Sequence, residues 1–165
     1  MIVNEVLQWA ALVVLTLITL GVLRQVSLML PPDRAAASGP ATGRRAPAGL
    51  VERVRRAVSD GGLDRGALVA FVTENCVACQ KLLADVSAGR QQLNDQPLVL
   101  VAHKPSEQFS AALEETRIPV IADAGELWEK CHITATPLVV RIDEHGRIAE
   151  KEVTHNVDRI ALAKS

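Results

Sequence analysis

Apolar positions follow two regimes along this chain. Val6 to Leu23 holds no charged residue, and as a helix it would cover about 27 Å at ~1.5 Å per residue, close to the ~30 Å hydrocarbon core of a bilayer. Trp9 near one end and Arg24 at the other suit the two interfaces. Apolar character continues through Val26, Leu28, Met29 and Leu30 until Pro31-Pro32, which stops a helix. Residues 1–30 are therefore expected to form a retained membrane anchor. A cleaved signal peptide is disfavoured, because Met1 to Glu5 has no Lys or Arg and Ala35-Ala36-Ala37 comes late. A buried core helix is disfavoured by the length of the run and the tether-like stretch after it. Residues 31–49 are dominated by Ala, Pro, Gly, Ser and Arg, with no large apolar side chain. Such a stretch predicts a flexible tether.

Residues 50–165 show the shorter periods of one small domain. Leu50, Val51, Val54, Ala57 and Val58 recur at helical spacing, with Gly61-Gly62 as the stop. Leu68 to Val72 is a short apolar run suited to a buried strand. Cys79, Leu82, Leu83 and Val86 form a helical stripe closed by Gly89. Leu98 to Ala102 predicts a second strand, and Ser106 a cap for a helix carrying Phe109, Ala112 and Leu113. Ile118 to Ile121 is a short extended run. Asp123 and Glu126 resemble a capping box before Leu127, Trp128 and Cys131. Pro137 to Ile142 and Ile148 to Val153 predict two strands around the turn Glu144-His145-Gly146, and Asn156 caps a last helix. Strands alternating with helices and ending in a hairpin imply an α/β sandwich built on a mixed sheet.

Composition narrows the function. The net charge is -1 over 165 residues, and the chain has two Trp, two Phe and no Tyr. Neither a basic stripe nor an aromatic base-stacking platform is present, so nucleic acid is not an expected partner. The three cysteines do not make a paired structural framework. Two of them, Cys76 and Cys79, sit in Cys76-Val77-Ala78-Cys79 between a predicted strand and a predicted helix.

That placement tunes a dithiol. The first cysteine lies at a helix N-terminus, where unpaired N–H groups and the helix dipole favour thiolate over thiol. Cys76 is expected to be the attacking nucleophile, and Cys79, one turn on, the group that resolves the mixed disulfide. Core cysteines or half of a zinc site are the competing readings. Zinc normally needs a second matching pair, and Cys131-His132 has the wrong spacing. No metal and no cofactor is expected. Thr136-Pro137 precedes the strand beginning at Leu138, a place where Pro is tolerated. From the sequence alone its peptide bond is expected to be trans.

Phe71 to Cys79 resembles the active-site strand and loop of the thioredoxin superfamily. Trp128 to Val140 resembles that superfamily's helix and proline segment, and Gly146 the glycine of the hairpin that follows. The landmarks span most of residues 63 to 165. With the N-terminal anchor, the Ala/Pro/Gly tether and the Phe-Val-Thr entry into C-x-x-C, the whole chain looks most like the membrane-anchored MauD-like group of methylamine utilisation, near TlpA-type proteins. The resemblance implies a thioredoxin-like fold and thiol–disulfide exchange on cysteines of partner proteins, with a membrane electron donor or acceptor in reach. It implies that Thr136-Pro137 is a cis-proline loop beside Cys76. Thr136, Pro137, Val77 and Ala78 would then receive the partner chain by strand addition.

The chain departs from the pattern at two points. Thioredoxin has a buried acid six residues before its first cysteine, where this chain has Ala70, and a Trp just before that cysteine, where it has Asn75. Glu74 and Lys104 are the substitute candidates for proton transfer. The other functions kept open are a non-catalytic thioredoxin-like docking module and a redox-sensing or zinc-binding anchor. Cys131 and Trp128 are expected in the core; His103, His132, His145 and His155 on the surface; Arg53, Arg55 and Arg56 on a wet helix face. Arg24, Arg34, Arg44 and Arg45 all follow the apolar segment, which favours a cytoplasmic domain. Anchored members of the family usually face the extracytoplasmic side, where disulfides persist. The expectation adopted is extracytoplasmic.

Overall fold

The computed structural model describes Trp9, Thr16 and residues 38–58, 63–89, 93 and 95–161. The expected anchor, residues 1–30, lies outside the described residues apart from Trp9 and Thr16. Among the described residues no helix is long and apolar enough to cross a membrane. All elements below belong to one compact unit, Arg34–Ser165.

The element order is α1 (Ala48–Ala57), β1 (Ala67–Val72), α2 (Val77–Ser87), β2 (Leu98–Ala102), α3 (Glu107–Glu115), β3 (Val120–Ile121), α4 (Gly125–Lys130), β4 (Leu138–Ile142), β5 (Ile148–Val153) and α5 (Asp158–Ala161). The strands form one sheet in the order β3-β2-β1-β4-β5. β1 runs parallel to β2 and antiparallel to β4; β2–β3 is parallel and β4–β5 antiparallel. The thioredoxin-like mixed sheet flanked by helices is thus present.

The central strands are buried on both faces, which is why they read as unbroken apolar runs instead of alternating ones. Successive side chains still point to opposite faces. Val69 and Phe71 join a core with Leu50 and Val54 of α1, Leu127 of α4 and Cys131. Leu68, Ala70 and Val72 join the other core, with Cys79 and Leu82 of α2, Leu113 of α3 and Ile160 of α5. The sheet therefore divides two hydrophobic layers, and the two ends of β1 serve different purposes. At its start Gly66 has φ +74, and a Cβ there would run into the carbonyl oxygen of Ile142. At its end the chain enters the cysteine loop.

Three expectations need correction. The tether does not hold for residues 38–49. Gly43 N–H donates to Ile148 O at 2.7 Å, Ile148 N–H to Arg44 O at 2.8 Å and Ala46 N–H to Gly146 O at 2.8 Å. Ser38 and Ala46 are buried, and α1 starts at Ala48, not Leu50. Composition misled here because this strap is held by backbone hydrogen bonds and small side chains, which need no large apolar residue. The Asp123/Glu126 capping box is also absent. Asp123 takes φ 51, α4 begins after Ala124 without a side-chain cap, and Glu126 pairs with Lys130 at 2.6 Å. Third, the Thr136-Pro137 bond is cis, against the local expectation and in line with the resemblance. The Ser106 cap is found: its hydroxyl accepts the Phe109 N–H at 3.2 Å.

Candidate active site

β1 ends at Val72, and Thr73 to Asn75 turn the chain into α2. Cys76 is the residue capping α2, with extended backbone (φ -119, ψ 104), so its sulfur hangs over the first turn. The Cys79 N–H, one of the donors a helix leaves unpaired at its start, points at Cys76 Sγ at 3.1 Å. Cys76 and Cys79 are joined as a disulfide with a Cα–Cα separation of 5.1 Å. Cys79 is fully buried on the Ala70 side of the sheet, whereas Cys76 is partly exposed.

The second wall is the proline loop before β4. Thr136 O lies 3.5 Å from Cys76 Sγ, and the Thr136 hydroxyl lies 3.1 Å from that of Thr73. Pro137 is buried and its carbonyl accepts the Thr154 N–H at 3.1 Å. Val77 is 82% exposed and Ala78 half-buried. Cys76, Thr136 and Pro137 are thus brought together, with Val77 and Ala78 on the adjoining helix turn. A cleft of about 600 Å³ between α2 and α3, bounded by Glu74, Gln80, Leu83, Phe109 and Thr116, opens next to them.

The contacts of the Glu74 carboxylate and of Lys104 are with other groups. A Glu74 carboxylate oxygen accepts the Ser106 N–H at 3.4 Å, and exposed Lys104 lies beside Gly125. The sulfur neighbours are the Cys79 N–H and Thr136 O, so no proton route is assigned to either side chain. Around Cys79 the packing is apolar, with Ala70 where a carboxylate would stand. Cys131 is buried in the other hydrophobic layer, across the sheet from Cys79. Burial pushes its thiol up to about 11 from 9.0, because an apolar surround disfavours the thiolate. Among the described residues no three His, Cys, Asp or Glu side chains gather as metal ligands.

Trp128 is half-buried, its ring edge-on to Phe71 at 5.5 Å and to His103 at 5.3 Å. His103, expected at the surface, is therefore partly buried, and so is His155, whose Nε2 lies 3.0 Å from Lys81 Nζ. Two residues that sequence reasoning passed over also shape the site. Thr73 carries only the generic signal of a threonine after a strand. Ser38, whose Oγ accepts the N–H groups of Thr134 and Ala135 at 3.0 and 3.1 Å, gives none inside an Ala-rich stretch.

No protein-family model matches the chain. Two curated proteins similar to it are both named methylamine utilization protein MauD. That of Methylophilus methylotrophus is 23% identical over 176 residues, covering 97% of this chain and 81% of that protein. That of Methylobacillus flagellatus is 37% identical over 97 residues, covering 50% of this chain and 45% of that protein. Among solved structures, the thioredoxin domain of a thiol-disulfide oxidoreductase from Bacteroides vulgatus superposes with TM-score 0.51 at 18% identity, covering 70% of this chain and 90% of that one. A thiol:disulfide interchange protein from Bacteroides sp. superposes with TM-score 0.50 at 20% identity, covering 74% and 86%. The disulfide-linked C-x-x-C at the head of α2 and the cis-proline loop against it thus stand in a thioredoxin-like fold, on a chain similar in sequence to two MauD proteins.

Proposed function

We propose that the chain is a membrane-tethered thiol-disulfide oxidoreductase acting on cysteines of partner proteins. The observation that carries this is the Cys76–Cys79 pair, with its outer sulfur partly exposed at a helix N-terminus and 3.5 Å from the carbonyl before the cis-proline. The names of the two superposed structures, a thiol-disulfide oxidoreductase and a thiol:disulfide interchange protein, favour the same activity.

In the reducing direction, the Cys76 thiolate attacks one sulfur of a partner disulfide. A mixed disulfide forms and one partner thiolate leaves, taking up a proton. Cys79 then loses its proton and attacks Cys76 Sγ. The Cys76–Cys79 disulfide forms, and the second partner thiol is released. Two electrons and two protons have passed to the partner; disulfide formation in the partner is the reverse. The Cys79 N–H and the helix dipole stabilise negative charge on Cys76, as attacker or as leaving group. The partner chain lies extended along Thr136 and against Pro137, Val77 and Ala78. The chain is anchored through residues 1–30, with its domain on the extracytoplasmic side and a membrane donor or acceptor resetting the pair.

Cys76→Ser is expected to abolish exchange, and Cys79→Ser to accumulate partner proteins as mixed disulfides on non-reducing gels. Exchange at the wild-type rate in both variants removes the proposal and leaves the docking module. Ala70, packed in one apolar cluster with Cys79 at the position where thioredoxin has its buried acid, favours slow, partner-specific turnover over general reductase activity.

A further inference from the structure

The loop Thr134 to Pro137 carries the backbone that faces Cys76, and it is fixed at three places. At its end, Pro137 O accepts the Thr154 N–H at 3.1 Å. At its middle, the Thr136 and Thr73 hydroxyls meet at 3.1 Å. Thr154 and Thr73 immediately follow β5 and β1. At its start, the N–H groups of Thr134 and Ala135 both donate to Ser38 Oγ, at 3.0 and 3.1 Å. This third partner comes from the strap, 96 residues before Thr134. Ser38 is fully buried. The strap is itself held: Gly39 N–H donates to His132 O at 3.0 Å, and Lys151 Nζ to Ser38 O at 2.8 Å and Gly39 O at 3.4 Å.

A hydroxyl oxygen has two lone pairs and can take both amides at once. An alanine methyl can take neither, and the two N–H groups would have to seek water or swing away. We infer that Ser38 is a positioning residue for partner recognition, its hydroxyl fixing the proline loop so that the Thr136 backbone is presented to an extended partner chain beside Cys76. This rests on the oxidoreductase reading above. The Ser38 hydrogen bonds go to the loop and not to either sulfur. Its loss therefore loosens docking of a polypeptide and leaves the reactivity of the cysteine pair toward a small disulfide intact.

The test uses the full chain as wild type, Ser38→Ala and Lys151→Met, with dithiothreitol as reductant. One probe is an extended peptide whose central cysteine is a mixed disulfide with glutathione; the other is glutathione disulfide. Amide hydrogen exchange at Thr134 and Ala135 is followed in parallel. Ser38→Ala is expected to raise KM for the peptide about tenfold, as for loss of one hydrogen bond. Its kcat, and both constants for glutathione disulfide, should stay the same. Thr134 and Ala135 should exchange faster while the amides of β1 and β4 keep their protection. A proportionate fall with both probes makes Ser38 merely structural and overturns the inference. So does an unchanged peptide KM, or unchanged amide exchange. If wild type exchanges with neither probe, the oxidoreductase reading fails, and the two amides alone decide whether Ser38 holds the loop. If Ser38→Ala does not fold, Lys151→Met decides: it keeps the hydroxyl, frees the strap carbonyls, and must give the same KM split at smaller size.

Discussion

Cys131 makes the stability of this protein fall at alkaline pH by an amount that can be worked out. Its thiol is fully buried and its pKa stands at about 11, against 9.0 ordinarily. The unfolded chain therefore ionises Cys131 at lower pH than the folded chain does. The thiol's contribution is present below pH 9 and is lost as pH rises toward 11. Between pH 8 and pH 10 the linkage integral is about 1 kcal/mol, and it tends to about 3 kcal/mol well beyond pH 11. The chain has no tyrosine to titrate in the same window, and the lysines are common to wild type and the variant below, so the comparison between them isolates Cys131. In the oxidised protein Cys76 and Cys79 are tied up, so Cys131 is the remaining thiol. Urea unfolding at pH 8 and pH 10, read by Trp128 fluorescence, is the assay. With m of about 2 kcal/mol/M, the wild-type midpoint should drop by about 0.5 M. Cys131→Ala leaves a cavity whose cost is the same at both pH values, so its midpoint should fall much less between them. An equal fall in wild type and variant would refute the reasoning and place the titration elsewhere.

Two further substitutions test the frame around the site. Gly66→Ala forces a side chain against the Ile142 carbonyl at φ +74; a loss of about 2 kcal/mol or more is expected in chemical denaturation. Ser106→Ala removes the cap of α3 and should cost about 1 kcal/mol by the same measurement, with the rate of disulfide exchange unchanged.

What could be read in the sequence was what depends on local periodicity. Leu68 to Val72 and Leu98 to Ala102 declared themselves as buried strands because both of their faces are covered. Cys76 could be placed at a helix start because a strand, a short turn and an apolar stripe bracket it. The missed features depend on contacts distant in sequence. The partners of the Ser38 hydroxyl lie 96 and 97 residues away, and that of Thr73 lies 63 residues away. Nothing at either position marks it as a hydrogen-bonding partner of the proline loop. The cis bond before Pro137 followed from the family resemblance and not from local preference. Asp123 and Glu126 had the right spacing for a cap, but the backbone at Asp123 is left-handed and Lys130 takes the Glu126 carboxylate.

The way the sheet ends at its two sides bears on solubility. An exposed strand edge offers unpaired N–H and C=O groups to any neighbouring chain and seeds aggregation. Here one edge is β3, only two residues long and preceded by Pro119. The other is β5, which carries Glu150, Lys151 and Glu152 in succession. The strap takes both backbone hydrogen-bonding groups of Ile148 at the start of β5. A fragment cut at Leu50 would uncover those groups together with the apolar surface beneath Ala46. It would be a self-associating species and not a minimal working domain, so expression boundaries belong upstream of Ser38.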